Sequence, residues 1–343
     1  MAYKFNFRPY RRRFKPPLQT NHGIWEVRDS IILRLTNETG ISYGEIAPLG
    51  WFGSETIEQA LDFCRQLPNE ITEETIFSIP THLPACQFGF ESAWEGFLEQ
   101  GRQKGQGNKE TRGQGENFQS KIQNPKSKIT YSALLPAGEA ALSQWRSLLD
   151  DGYRTFKWKI GVYPIADELK IFRLLMRSLP ASAKLRLDAN GGLSYEQANL
   201  WLYTCDSFRA REASVEIEFL EQPLPVEQFA GMEELSACYF TSIALDESVA
   251  TLTQMQVCYQ QGWRGIFVVK PSIVGSPQSL RQFCQAHKID AVFSSVFETT
   301  VGRQAALKLA AQLSINNRAV GFGVASWFEP DEPNWLNNLW KDC

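Results

Sequence analysis

The sequence predicts an α/β protein, a closed parallel barrel preceded by a smaller α+β unit. Three observations carry this. The chain has 343 residues, long for one compact domain and sufficient for a barrel plus a second body. From Ile129 onward, short β-rich runs alternate with amphipathic helical stretches. Nearly every one of those runs closes on a charged residue, a costly placement inside a sheet unless the charge is paired or used.

Residues 1–100 form the smaller unit. The alternating runs Ile31–Leu35 and Gly44–Ala47 predict an antiparallel sheet. Helices are expected over Thr56–Arg65, with Ser54 as the cap, and over Phe88–Gly101. Residues 101–128 break the pattern. They hold seven Lys/Arg, two acids and only Phe118 and Ile122 as large apolar residues. Such a segment buries too little surface to offset its ordering entropy and reads as a disordered, low-complexity insertion. The barrel is placed at 129–325. Its strands are expected at Thr130–Pro136, Thr155–Ile160, Lys184–Ala189, Ile217–Leu220, Ser242–Leu245, Gly265–Val269, Ala291–Ser295 and Ala319–Val324. An open doubly wound sheet would show the same alternation. It would more often carry a Gly-rich phosphate turn after its first strand, where this chain has Pro136-Ala137-Gly138-Glu139.

Composition narrows the function. The net charge of −3 gives no reason to expect nucleic acid as a partner. No apolar stretch approaches the roughly 18 residues of a membrane span, so no membrane partner is expected. Arg11, Arg12 and Arg13 are followed by no apolar stretch, so a secretory signal is not expected. The cysteines, Cys64, Cys86, Cys205, Cys238, Cys258, Cys284 and Cys343, are odd in number and lack C-x-x-C spacing. They read as reduced thiols of a cytoplasmic protein. His22, His82 and His287 are too few for a His-rich metal site.

The strand ends carry the chemistry. Lys157 and Lys159 lie in the second barrel strand, Asp188 and Asn190 end the third, and Glu221 ends the fourth. Asp246 ends the fifth and Lys270 the sixth, while Ser294, Ser295 and then Glu298 follow the seventh. The steps from Lys159 to Asp188, Glu221, Asp246 and Lys270 are 29, 33, 25 and 24 residues, about one βα unit each. In a barrel all five would stand at the C-terminal rim, where barrel active sites form. Taken singly, each has an ordinary reading as a solvated edge, a turn or a helix cap. Five in barrel register, in the order base, acid, acid, acid, base, do not. Three carboxylates on consecutive strands make a cage of hard oxygens suited to Mg2+, with Mn2+ as the alternative. Lys157 and Lys159, two residues apart, share a strand face, and their repulsion should lower the pKa of at least one. A lysine base must fall from about 10.4 to roughly 7–8, at a cost of about 4 kcal/mol.

These residues resemble the enolase superfamily in its muconate-lactonizing subgroup. The resemblance covers almost the whole chain and implies a (β/α)7β barrel, similar to a TIM barrel, under an α+β capping domain. It also implies that residues 326–343 return to the cap. By resemblance, Lys159 is the general base, Lys270 the lysine on the opposite face, Asp188, Glu221 and Asp246 the Mg2+ ligands, and Lys157 and Asn190 supporting residues. Mandelate-racemase relatives need a His at the end of the seventh strand, where this chain has Phe293-Ser294-Ser295. The stretches Tyr43–Leu49 and Ser294–Gly302 are similar to those of the subgroup's aromatising dehydratases in menaquinone and phylloquinone biosynthesis. The implied reaction is loss of water from 2-succinyl-6-hydroxy-2,4-cyclohexadiene-1-carboxylate to give 2-succinylbenzoate. Ser294, Ser295 and Gly321 are the implied substrate contacts.

The partner is thus a small carboxylate, and the oligomeric state is left open. Pro16–Trp25 and Leu49–Gly53 are the expected closing loops, and Arg8–Lys15 reads as a charged edge strand. The alternatives are an N-acylamino-acid racemase or a dipeptide epimerase of the same superfamily and, more remotely, a non-catalytic binding scaffold. Dipeptide epimerases of the subgroup carry an Asp-x-Asp in the eighth strand, where this chain reads Val320-Gly321-Phe322-Gly323-Val324. Deletion of residues 101–128 separates enzyme from scaffold. An enzyme keeps its turnover without the segment, whereas a scaffold loses its partner.

Overall fold

The computed structural model describes residues 1–20, 23–106, 129–212, 215–324, 327–329 and 334–341. The N-terminal unit is built on β1 (Ala2–Thr20), β2 (Gly23–Asn37), β3 (Gly40–Ile46) and β4 (Glu70–Thr72), an antiparallel sheet in the order β3-β2-β1-β4. Tyr3 and Phe5 of β1, Ile31, Leu33 and Leu35 of β2 and Ile46 of β3 are buried in one cluster with Phe90, Ala93 and Phe97 of helix Pro84–Gln106. The sheet thus buries the side chains that the alternating pattern placed on one face.

Close approach of that helix to β3 is possible only because two glycines meet. A Cβ at Gly44 would lie 2.1 Å from the carbonyl oxygen of Gly89. The first helix, Ile57–Gln66, is capped by Thr56 in a reciprocal box with Gln59, not by Ser54. Ser54 Oγ instead accepts from the backbone N–H of Leu49 at 2.7 Å, fixing the turn that precedes the helix. Helix Pro84–Gln106 runs past residue 101, where the insertion was expected to start, and residues 107–128 lie outside the described residues.

The second body is a ring of parallel strands. These are β5 (Ser132–Leu135), β6 (Thr155–Lys159), β7 (Lys184–Asp188), β8 (Glu216–Glu221), β9 (Ile243–Leu245), β10 (Ile266–Val269) and β11 (Ala291–Phe293). They pair in sequence order. The expected eighth strand is reduced to two single bridges, Val320 to Tyr131 and Gly321 to Ser294. Those bridges close the ring. Val320 N–H donates to Thr130 at 2.8 Å on one side, and Gly321 N–H donates to Phe293 at 2.7 Å on the other. A Cβ at Gly321 would sit 2.6 Å from Ser294 Oγ and 3.2 Å from its Cβ, so glycine lets the two backbones meet closely at this seam.

Register decides what faces where. Phe156, Trp158, Leu185, Leu187, Leu220, Ile243, Leu245, Phe267, Val269, Phe293 and Val320 point outward into the core beneath the helices. The alternate positions point into the barrel, where Phe219, Ala244, Ile266, Val268 and Val292 pack together. Lys159 pairs with Asp188, Asp188 with Glu221, and Glu221 with Ala244, so the charged residues share the inward parity and stand on the apolar plug.

The chain's last described residues lie on the N-terminal sheet. Phe328 bridges Phe14, Trp335 stacks on Tyr10 at 4.5 Å, and Arg34 lies 4.3 Å over the Trp340 ring. Among the described residues no helix is long and apolar enough to cross a membrane. The Gly44–Gly89 contact gives a direct test. Gly44→Ala should lower the free energy of unfolding by about 1–3 kcal/mol, seen as a lower urea midpoint. An unchanged midpoint would mean that the helix does not depend on this approach.

Candidate active site

One cavity opens at the C-terminal end of the barrel strands, beneath the N-terminal sheet. Nine of the ten sequence-predicted site residues line it: Lys157, Lys159, Asp188, Asn190, Asp246, Lys270, Ser294, Ser295 and Gly321. Glu221 does not reach the wall. It lies behind Lys157, whose Nζ donates to Glu221 Oε1 at 2.7 Å and pairs with Asp188 Oδ2 at 2.9 Å. Asp188, Glu221 and Asp246 are 2 %, 1 % and 3 % exposed, so each depends on protein charge rather than water for compensation.

The three lysines are not equivalent. Lys157 bridges two carboxylates, and Lys270 Nζ pairs with Asp246 while lying 4.1 Å over the Phe52 ring. Lys159 makes no ion pair among the described residues; its Nζ donates to Asn190 Oδ1 at 2.5 Å. Asn190 holds a left-handed backbone (φ 45°), and its Nδ2 donates to Glu247 Oε1 at 3.1 Å. A carboxylate can only accept there, which turns the amide oxygen toward Lys159.

The expected repulsion between Lys157 and Lys159 does not lower Lys157. Burial acts to lower it, but Asp188, Glu221 and Asp246 hold its ammonium above the usual lysine range. Burial acts to raise Asp188, and Lys157 and Lys159 together hold it below the usual carboxylate range. Glu221 is pushed up to about 8 by burial, with Asp188 and Asp246 adding to the rise against Lys157. The cluster is therefore short of positive charge at Glu221.

A divalent cation fits that shortage. The donors are hard carboxylate oxygens from three adjacent strands, with neither imidazole nor thiolate beside them. Among the described residues no three acids already converge as a chelating group, because lysine ammonium groups stand between them.

Aromatic residues make the opposite wall, and the strand-end reading had not singled them out. Trp25, Trp51, Phe52 and Phe297 face the cavity with Leu49. Trp25 packs edge-on to Trp51 at 4.9 Å. The signal available in sequence was a Trp-Phe pair in the short Gly50–Gly53 turn and an aromatic inside Ser294–Gly302. Of the two expected closing loops, Leu49–Gly53 is a tight turn at the mouth. Pro16–Trp25 is not a loop over its described residues: Leu18 pairs with Trp25 and Thr20 with Gly23 in the β1–β2 ribbon. The eighth-strand position contributes Gly321, Gly323 and Val324 to the wall and no acid.

Beneath the site, a β-bulge leaves Glu218 between the paired residues Ile217 and Phe219. Arg186 Nε donates to it at 2.7 Å and Arg318 Nη1 at 2.8 Å, while Arg318 Nη2 also binds Asp290 at 2.7 Å. The five described buried thiols, Cys64, Cys86, Cys205, Cys258 and Cys284, are held above the usual thiol range by burial, so they are poor nucleophiles.

This barrel, with lysines and carboxylates at its strand ends, matches known proteins closely. Residues 140–332 match the family "Enolase C-terminal domain-like", and residues 18–96 match "MenC, N-terminal domain". These matches place the chain in the enolase superfamily. It is 37 % identical over 329 residues to an o-succinylbenzoate synthase of Thermosynechococcus vestitus, covering 94 % of this chain and 93 % of that one. The crystal structure of o-succinylbenzoate synthase from Thermosynechococcus elongatus, complexed with Mg in its active site, superposes with a TM-score of 0.83. It shares 36 % identity, over 99 % of this chain and 100 % of that one. The chain belongs to the o-succinylbenzoate synthase family. The substrate-liganded L-Ala-D/L-Glu epimerase of Bacillus subtilis shares the fold (TM-score 0.72) at 19 % identity, over 95 % of this chain and 91 % of that one.

The floor network predicts a pH-dependent loss. Glu218 and Asp290 are each raised by burial, but their arginines hold both below the usual carboxylate range. Their stabilisation is therefore full above the unfolded pKa of about 4 and fades as pH falls through the lower folded values. Arg318→Met should cost about 1.5–3 kcal/mol at pH 7, and the gap to the parent chain should narrow below about pH 4. A gap constant with pH would rule out this origin.

Proposed function

We propose that this chain dehydrates 2-succinyl-6-hydroxy-2,4-cyclohexadiene-1-carboxylate to 2-succinylbenzoate, as a hydro-lyase on the menaquinone or phylloquinone route. The observation that carries the reading is the asymmetry of the lysines. Of the three lysines at the cavity, Lys159 is the one with no carboxylate partner among the described residues, which leaves it for an α-proton. Its contact to Asn190 uses an N–H and leaves the nitrogen lone pair for the substrate.

In this reading Asp188, Glu221 and Asp246 hold Mg2+, with Lys157 and Asn190 as supporting residues. When bound, the ion supplies positive charge for the substrate carboxylate as negative charge builds on it. Lys159 takes the proton α to the carboxylate. The electron pair of the broken C–H bond moves into the ring, and the C–O bond to the hydroxyl breaks. Lys159 returns its proton to the departing hydroxide, so one water leaves and the ring becomes aromatic. Lys270, already engaged with Asp246 and Phe52, serves the developing dianion electrostatically from the other face. That engagement favours a lyase over a racemase, which needs a second base. Ser294, Ser295 and the Gly321 backbone line the strand-end wall for the polar parts of the substrate. The aromatic wall of Trp25, Trp51, Phe52 and Phe297 takes its apolar ring and chain. We place the enzyme in the reducing cytoplasm, a reading supported by six cysteines that are all unpaired among the described residues.

The test is substrate turnover followed by ultraviolet absorbance, with Mg2+ and then with EDTA, for the parent chain and Lys159→Ala. Metal-dependent dehydration that falls by at least about 10³-fold in the variant is expected. α-Proton exchange on N-acylamino acids or dipeptides, without dehydration, would move the assignment to the racemases and epimerases. Silence on all of these substrates would remove the enzyme reading.

A further inference from the structure

Phe297 lines the cavity with its backbone in the left-handed region, at φ 63°. A bulky residue rarely adopts that conformation, and it persists only where its surroundings enforce it. Here the enforcing groups come from the other body of the protein. Arg12 on β1 donates from Nη2 to the Phe297 carbonyl at 2.7 Å, and Arg28 on β2 donates from Nε to the Val296 carbonyl at 2.8 Å.

Arg28 is 6 % exposed. Three further N–H groups donate to the carbonyls of Asp29 (2.7 Å), Pro48 (2.9 Å) and Ala47 (2.5 Å), so one guanidinium joins the turn before Leu49 to the loop after β11. From the barrel side, Ser295 Oγ accepts from Phe297 N–H at 2.9 Å and donates to Glu298 Oε2 at 2.9 Å.

Arg12 and Arg28 are also direct cross-strand partners. Two like charges facing each other across an antiparallel pair are destabilising, so packing of the sheet alone gives no reason for them. The charged-edge reading of Arg8–Lys15 accounts for Arg11, which pairs with Asp29, and for Lys15, which pairs with Glu329. It does not account for Arg12, which turns to the barrel loop.

We propose that Arg12 and Arg28 form a clasp through which the N-terminal sheet holds Phe297 strained against the cavity. Phe297 is then a specificity-determining residue for the apolar part of a carboxylate substrate, and the two arginines are its positioning residues. The inference rests on the dehydratase reading only for the identity of that substrate. The ring of Phe297 packs edge-on to Phe14 at 5.2 Å and lies 6.3 Å from Trp25, so its placement also sets the aromatic wall.

A double-mutant cycle on kcat and KM tests this. Phe297→Ala, Arg12→Met and Arg28→Met should each raise KM, by about tenfold for Phe297→Ala and Arg28→Met, with kcat within about twofold. Arg12→Met added to Phe297→Ala should raise KM no further, because Arg12 reaches the cavity through Phe297. Arg28→Lys should recover part of the loss. KM effects that multiply in the double variant, or arginine variants that lower kcat at unchanged KM, would overturn the proposal. Should Arg28→Met not fold, the Arg12→Met arm of the same cycle decides. Hydrogen exchange over residues 294–299 reads the clasp without turnover. Faster exchange in the arginine variants supports it and unchanged exchange overturns it, whereas absent turnover in the parent chain would count against the dehydratase alone.

Discussion

A carboxylate withdrawn from water needs a cation beside it, and the open end of this barrel is organised around that need. Asp188, Glu221 and Asp246 are nearly fully buried. Lys157 spans the first two and Lys270 meets the third. That arrangement leaves Glu221 under-compensated, its carboxyl pushed up to about 8 by burial. The same shortage suits the pocket to a divalent ion.

The pairing pattern also separates roles that residue type alone leaves equal. Three lysines face one cavity, yet two are committed to carboxylates, and the third is oriented by an amide that Glu247 holds in place. The ion-pair geometry thus sets two ammonium groups fixed by carboxylates apart from one whose partner is an amide.

The N-terminal sheet contributes more than a lid. Its β2 and β3 meet the barrel through a buried polar joint. Glu45 accepts from the N–H groups of Thr299 and Gly302, at the start of helix Thr300–Leu313, and Arg28 gathers carbonyls from both bodies. A carboxylate at a helix N-terminus and a guanidinium among carbonyls satisfy groups that would otherwise be buried unpaired. The joint places Leu49, Trp51 and Phe297 around the strand-end charges.

The sequence by itself determined the barrel and the chemistry of its rim. Short β-rich runs separated by one βα unit dictate parallel strands, and charges that recur at the end of each run must fall on one rim, the C-terminal one. Only the tertiary structure decided the rest. The barrel closes at Val320 and Gly321 through two single bridges, with the Gly321 backbone close against Ser294. The commitment of Lys157 rather than Lys159 depends on Glu221, 64 residues away in sequence, lying behind it. The aromatic wall joins Trp25 and Trp51 of one body to Phe297 of the other. No local pattern encodes such meetings, since each is set by how two separately folded layers pack rather than by the spacing of residues within either.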